Sequence, residues 1–311
     1  MTRHSFQHGG IEISYLEWND PIERLSEEKS FNQNDYTPPS RTNFASPTAR
    51  GNRPKNHLLL LHGLADSAMV WSSLAEFLAN GYHIVAPDLR GHGETSKPEH
   101  GYTSTDIIAD LEALMAHLGW TQAHIVGHSW GGKLATIWAT HNPQLFSSLI
   151  LVDPFYVDKL PSWFKYTFPL LYRVLPFLQG MGPFASEAAA EQLAQNLKQY
   201  RQWTPLQQKA FRASIEPKND GTWGSKFTVA ARNEIFVDVM LQSGLTKPLE
   251  IPSLFIQPTK GLNRTQWQLK TYHRYLSNLE IQQVSGNHWV FLVNPDEFNL
   301  AVANFLTKHN S

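Results

Sequence analysis

The sequence predicts an α/β fold, a mostly parallel sheet with helices packed on both faces. Three observations carry that reading. Short apolar runs alternate along the chain with stretches of helical periodicity. Runs such as Leu58–Leu61 are apolar throughout, as a strand covered on both faces must be. The alternation stops near residue 155 and resumes near 249, so a helical insertion of roughly 90 residues interrupts the sheet-forming chain.

Taken in order, residues 5–19 alternate apolar and polar around Gly9-Gly10, the pattern of a β-hairpin. Residues 20–56 hold five prolines, many polar residues and few aliphatics, and read as a long surface loop. A strand at 58–61 is followed by a helix at 68–80 and a strand at 83–87. The spacing predicts a helix over 104–118, stopped by Gly119. A strand at 123–127, a helix at 130–142 and a strand at 148–152 complete the first part, residues 1–154. Residues 155–248 form the insertion, dominated by helices. The remainder, 249–311, carries a strand at 252–257, a helix at 265–276, a strand at 279–284 and a helix at 295–308. There is no internal repeat.

The 311 residues are 41% hydrophobic and 17% charged, enough for a sizeable core in one large domain or a domain with an insertion. A formal net charge of −1 points to neither nucleic acid nor an acidic membrane surface. With no cysteine, disulfides, thiolate metal sites and a thiol nucleophile are excluded. The N-terminal residues lack the apolar core of a secretory leader, and no apolar stretch reaches the roughly 18 residues of a spanning helix. A soluble, cytoplasmic protein without stable membrane insertion is the expectation. Neither a cofactor nor a metal is expected, and the oligomeric state is left open.

The strongest motif is Gly127-His128-Ser129-Trp130-Gly131, a G-x-S-x-G between an apolar strand and a helix. A sharp turn there exposes the serine hydroxyl at the end of the sheet, and the glycines leave room for neighbouring backbone. A serine needs a base to take its proton. His288, in Ser285-Gly286-Asn287-His288-Trp289, follows the last strand and precedes the final helix, where such a base is expected. An acid must orient that histidine. The loop Pro258–Arg264 after strand 252–257 contains no Asp or Glu. Asp153, directly after strand 148–152, is therefore the candidate, against the plainer reading that it only shapes a turn with Pro154. A dyad assisted by Asn263 is the fallback. Backbone amides of Leu64 and Trp130 are placed to form an oxyanion hole; the His62 side chain reads as structural. The turn Asp88–Ser96 lacks phosphate-loop spacing and reads as structural too.

His62-Gly63, the Asp88–Ser96 turn, the Gly127–Gly131 elbow and the Gly286–Trp289 segment occur in the order found in the α/β-hydrolase superfamily. The chain resembles that superfamily over residues 57–155 and 250–308. The resemblance implies an eight-stranded, mostly parallel sheet with a helical cap after the sixth strand. It implies Ser129 as nucleophile, His288 as base and Leu64 and Trp130 as oxyanion amides. Most members carry the acid after the seventh strand; a minority carry it after the sixth, where Asp153 stands. Similar members that are dehalogenases or epoxide hydrolases use an aspartate nucleophile, so Ser129 argues against both activities.

Residues 155–184 contain nine aromatics and four charged residues. Packing onto the core is the plain fate of such a segment. A lipophilic pocket roof is the functional one, with Trp163, Phe164, Phe168 and Trp289 as candidate substrate contacts. The leading function is hydrolysis of a hydrophobic carboxylic ester, a small-molecule substrate. The same triad also serves C–C hydrolases, amidases or peptidases and acyltransferases, or a slow-turnover ligand receptor, because the pocket decides the chemistry. An aminopeptidase is disfavoured, since Asp158 is the only acid in the aromatic stretch.

Overall fold

The computed structural model describes residues 1–18, 56–161, 163, 166 and 181–309. The loop expected over 20–56 lies, but for Asn56, outside the described residues. The N-terminal hairpin joins β1 (Thr2–His8) to β2 (Ile11–Trp18). Its turn residues Gly9 and Gly10 have φ of 55° and 79°, a two-residue turn that side chains beyond hydrogen disfavour. Then follow β3 (Asn56–Leu61), a 3₁₀ turn at 68–71 running into α1 (Ser72–Leu78), β4 (Tyr82–Pro87) and α2 (Ser104–His117). Thr103 and Asp106 close a capping box at the start of α2. β5 (Ala123–His128), α3 (Ser129–His141) and β6 (Phe146–Val152) complete the first part.

The next described elements are α4 (Glu187–Ala194), α5 (Pro205–Ser214), a short hairpin of β7 (Ile215–Pro217) and β8 (Trp223–Ser225), and α6 (Val229–Leu241). The hairpin departs from the helical expectation for this segment. Gly221, at φ 83°, lets the chain turn between Lys218 and Thr222, and β8 also exchanges two backbone bonds with Phe184. The chain ends with β9 (Ser253–Lys260), α7 (Gln266–Tyr275), β10 (Leu279–Asn287), the single turn α8 (Val290–Val293) and α9 (Pro295–Lys308).

The strands form one eight-stranded sheet in the order β1-β2-β4-β3-β5-β6-β9-β10. β4, β3, β5, β6, β9 and β10 are parallel, while β2 pairs antiparallel with both β1 and β4. Alternate residues of each central strand face opposite layers, which is why these strands are apolar throughout. Leu59, Leu61, Ile125, Leu149, Leu151 and Phe255 pack with residues of α2, α3, α6 and α7. Leu58, Leu60, Val126, Ile150, Val152 and Leu254 pack with residues of α1 and α9. β9 and β10 run further than the sequence pattern indicates, to Lys260 and Asn287, which pair across an irregularity after Val284. Pro258 is tolerated there because the pairing with β6 has already ended at Ile256. Among the described residues no helix is long and apolar enough to cross a membrane.

At the opposite end of the sheet from the β5–α3 turn, β5 buries His124, with its ring 2.8 Å from the Ser148 hydroxyl. Burial, then the charges of His309 and His57, pushes its pKa down to about 4. The unfolded chain therefore binds a proton between pH 6.5 and 4 that the folded chain refuses, so stability is full above 6.5 and falls as pH falls through that window. His124→Gln should lose roughly 2 kcal/mol less than the unsubstituted chain between pH 7 and 5, read from urea unfolding.

Candidate functional site

Three parallel strands deliver the site at their carboxyl ends, the usual place for a ligand on an open α/β sheet. Ser129 lies between β5 and α3 with φ of 51°, a left-handed conformation that costs a non-glycine residue about 1–3 kcal/mol. Close packing holds it there. A Cβ on Gly127 would lie 2.6 Å from the carbonyl oxygen of Gly131, and one on Gly131 would lie 2.4 Å from that of His62. A Cβ on Gly132 would meet Gly127 and Pro154 at 2.8 and 2.9 Å. Only glycines let the first turn of α3 sit this tightly against β3, β5 and the residues after β6.

Asp153 follows β6 directly and is fully buried, with φ of 40°. His288 follows β10. Its Nδ1–H donates to Asp153 Oδ2 at 2.6 Å, which leaves Nε2 as the free basic nitrogen. The loop after β9, which lacks an acid, wraps around this carboxylate instead. The Leu262 amide donates to Oδ2 at 2.7 Å, and the Asn263 amide and side chain donate to Oδ1, each at 3.1 Å. Gly261 permits the approach, since a Cβ there would lie 2.6 Å from Asp153 Oδ2. Burial raises the Asp153 carboxyl, but its bond to His288, that ring's charge and the two amides outweigh burial and hold it below the ordinary carboxylate value. Asn263 thus supports Asp153 rather than replacing it. The His288 backbone is tied toward the nucleophile turn, its carbonyl accepting from His128 Nε2 at 3.0 Å.

The turn that carries Leu64 lies against the first turn of α3, which carries Trp130. Trp130 is the second residue of α3, and its N–H has no carbonyl four residues back within the helix. Gly131 presses that turn onto the Leu61 and His62 carbonyls, bringing it beside the His62–Ala65 turn, where Ala65 adopts φ 64°. His62 is buried; its Nδ1–H donates to the Gly63 carbonyl at 2.8 Å and its Nε2 accepts from the Leu89 amide at 3.0 Å. The Asp88 carboxylate accepts from Arg3, the Ala68 amide and the Glu94 amide, which fixes the turn Asp88–Ser96 in place.

Of the four candidate substrate contacts, Trp289 lies at the site: its ring centroid is 4.9 Å from that of His288, and its indole donates to Asp66. Trp163 is 61% exposed, while Phe164 and Phe168 lie outside the described residues. A cavity of about 320 Å³ beside α7, lined by Asp158, Ser243, Thr246, Lys270 and Arg274 among others, is not lined by Ser129, Asp153 or His288. Among the described residues there is no metal-binding group of histidines and acids. Sequence reasoning missed Leu262 and Gly261. The signal was a glycine inside an acid-free loop.

A family model described as the alpha/beta hydrolase fold matches residues 56–295. A soluble epoxide hydrolase from Corynebacterium sp. (strain C12) is 36% identical over 96 residues, 31% of this chain and 34% of that protein. A fluoroacetate dehalogenase from Burkholderia sp. is 39% identical over 107 residues, 32% of this chain and 35% of its own. The chain thus spans about a third of the length of these curated relatives. A solved structure of an E-2-(acetamidomethylene)succinate hydrolase matches with a TM-score of 0.72 over 98% of this chain and 99% of its own, at 20% identity, a likeness of fold.

Asp153→Asn keeps an oxygen for His288 and the Leu262 amide but turns an N–H₂ toward the two Asn263 donors. Turnover of a chromogenic ester should fall by roughly 10⁴ with little change in KM. A loss below about tenfold would assign the acid's part to another group.

Proposed function

Because the chain belongs to the alpha/beta hydrolase fold family, we propose that it is a serine hydrolase that cleaves hydrophobic carboxylic esters through an acyl-enzyme on Ser129. The observation that carries this reading is the 2.6 Å bond from His288 Nδ1 to a buried, four-donor Asp153, beside a serine held at φ 51°. That bond leaves Nε2 as the only nitrogen of His288 able to take a proton.

In this mechanism the Ser129 hydroxyl gives its proton to His288 Nε2 as Oγ bonds to the ester carbonyl carbon. The carbonyl π pair moves onto oxygen, which the Leu64 and Trp130 amides stabilise. Asp153 stabilises the imidazolium without taking its proton. Collapse breaks the bond to the alcohol oxygen, which leaves with the proton from His288. Water then repeats the sequence, losing a proton to His288 and releasing the carboxylic acid and Ser129.

The serine separates this chain from the activities of its epoxide hydrolase and dehalogenase relatives. A carboxylate nucleophile is ionised at neutral pH and attacks without help; a hydroxyl requires the base that His288 supplies. Residues 155–248 act in this reading as a cap. The aromatic composition of residues 155–184 is what supports a lipophilic substrate in this reading, and Trp289, with its ring centroid 4.9 Å from that of His288, is a candidate contact.

Ser129→Ala should abolish labelling by a fluorophosphonate probe, and persistent labelling would contradict the assignment. In a panel of p-nitrophenyl esters, kcat/KM should rise from acetyl to medium chains. A maximum at acetyl would remove the hydrophobic-substrate part of the proposal and leave the nucleophile standing.

A further inference from the structure

Lys133 lies on α3, one turn after Ser129, and is fully buried. A buried ammonium requires acceptors for its hydrogens, and two backbone carbonyls serve here, that of Asp158 at 3.1 Å and that of Val239. Burial pushes the ammonium down to about 7, against the charges of Asp158 and Asp238. Those two carboxylates bond to other elements. Asp158 Oδ2 accepts from the Thr271 hydroxyl of α7 at 2.9 Å. Asp238 Oδ2 accepts from the Ser104 amide at 2.9 Å and from the Ser104 hydroxyl, at the start of α2.

The two carbonyls that hold Lys133 belong to opposite ends of the insertion. Asp158 is on the stem that leaves β6, and Val239 is in the last turn of α6, on the stem that returns toward β9. The last carbonyls of a helix have no partner within it and form the negative end of its dipole, so a cation is favoured there. Further bonds meet at this neck. The Leu160 amide donates to the Met240 carbonyl and the Gly244 amide to the Val157 carbonyl, each at 2.7 Å, which joins the stems to each other. The Thr140 hydroxyl donates to the Gly244 carbonyl at 2.8 Å, which joins the returning stem to α3. A Cβ on Gly244 would lie 2.7 Å from Val157 Cγ2 and closer still to Thr136 Oγ1, so only glycine fits between the leaving stem and α3. Lys133, Thr136 and Thr140 share one face of α3, and both stems stand on it.

We propose that Lys133 is a positioning residue that pins both stems of the 155–248 insertion to α3, and so sets where the insertion sits relative to Ser129 and which acyl chains the site admits. The contacts of Lys133 stand whatever bond the chain cleaves; their bearing on substrate choice rests on the reading of Ser129 as nucleophile and of residues 155–248 as a cap.

The path from Lys133 to the site is short. The leaving stem starts on the elbow itself, with the Phe155 amide donating to the Ser129 carbonyl at 2.8 Å, and three residues on its Asp158 carbonyl meets Lys133. A movement of the stems is therefore a movement of the insertion relative to the serine. A long acyl chain reaches further from Ser129 than an acetyl group does, so long-chain esters register that movement and acetyl esters do not. Loss of the pin changes the ratio between the two, whereas general loosening of the fold lowers both alike.

The test compares the unsubstituted chain with Lys133→Met, which keeps a side chain of similar volume and removes the donors. Hydrogen exchange read by mass spectrometry should show the amides of Leu160 and Gly244 exchanging at least roughly tenfold faster in the variant, with β5 and β6 unchanged. The KM for p-nitrophenyl octanoate relative to that for p-nitrophenyl acetate should rise roughly fivefold, with kcat for the acetate within about threefold of the parent. Unchanged exchange at Leu160 and Gly244 overturns the proposal. So does an unchanged KM ratio, whether both esters stay as they were or both lose activity equally. If Ser129 fails to label with a fluorophosphonate in the parent, the proposed function is at fault, and hydrogen exchange still decides whether Lys133 pins the stems. Should Lys133→Met not fold, Lys133→Gln, which keeps two N–H donors on a shorter side chain, is measured in the same way. A smaller rise in the same ratio is then expected, and no rise overturns the proposal.

Discussion

A fully buried carboxylate survives in a protein only where donors replace its lost water, and Asp153 meets four: His288 Nδ1, the Leu262 and Asn263 amides and the Asn263 side chain. Each donor ties a separate piece of chain to the end of β6. The loop after β9 closes over the carboxylate, and the loop after β10 reaches back across β9 to bring His288 to it. Removing one partner from such a buried charge costs on the order of 3–5 kcal/mol in comparable sites, so the arrangement is structural as well as chemical. In the proposed mechanism this compensates for an acid one strand earlier than the resemblance implies for most superfamily members. The loop that would otherwise carry the carboxylate supplies its hydrogen-bond donors.

The second constraint is steric. The β5–α3 turn holds Ser129 at a positive φ because Gly127, Gly131 and Gly132 let α3 settle against β3, β5 and Pro154. The same closeness sets the first amides of α3 beside the His62–Ala65 turn. Sheet, turn and helix therefore form one packed unit, with the layer of Leu59, Leu61, Ile125 and Leu151 beneath it. Strain at the serine is sustained by burial elsewhere, the usual relation between a reactive position and its scaffold.

Much of this was legible in the sequence. The apolar strands and their rhythm with helices specify the sheet, because buried parallel strands have no polar face to disguise them. Ser129 and His288 stand out because the elbow and the segment after the last strand are local patterns. Asp153 could be reached by elimination, since the Pro258–Arg264 loop has no acid. What could not be read are relations across long separations. The embrace of Asp153 by Leu262 and Asn263 joins residues more than a hundred positions apart. Asp66 and His128 approach to 3.7 Å with β4, α2 and most of β5 between them in the chain. The extensions of β9 and β10 past Pro258 and Gly286 were hidden by residues that ordinarily end a strand. The β7–β8 hairpin is three residues to a side, too short for its periodicity to separate from helix.

The proposed mechanism requires a covalent bond between substrate and Ser129. Acid quench during turnover of a slowly deacylated aromatic ester, followed by intact mass measurement and peptide mapping, tests it most directly. One acyl group should appear per chain, on the peptide containing Ser129, and disappear as product forms. Product release with no adduct, or an adduct carried by Asp153 or another carboxylate, would contradict the account.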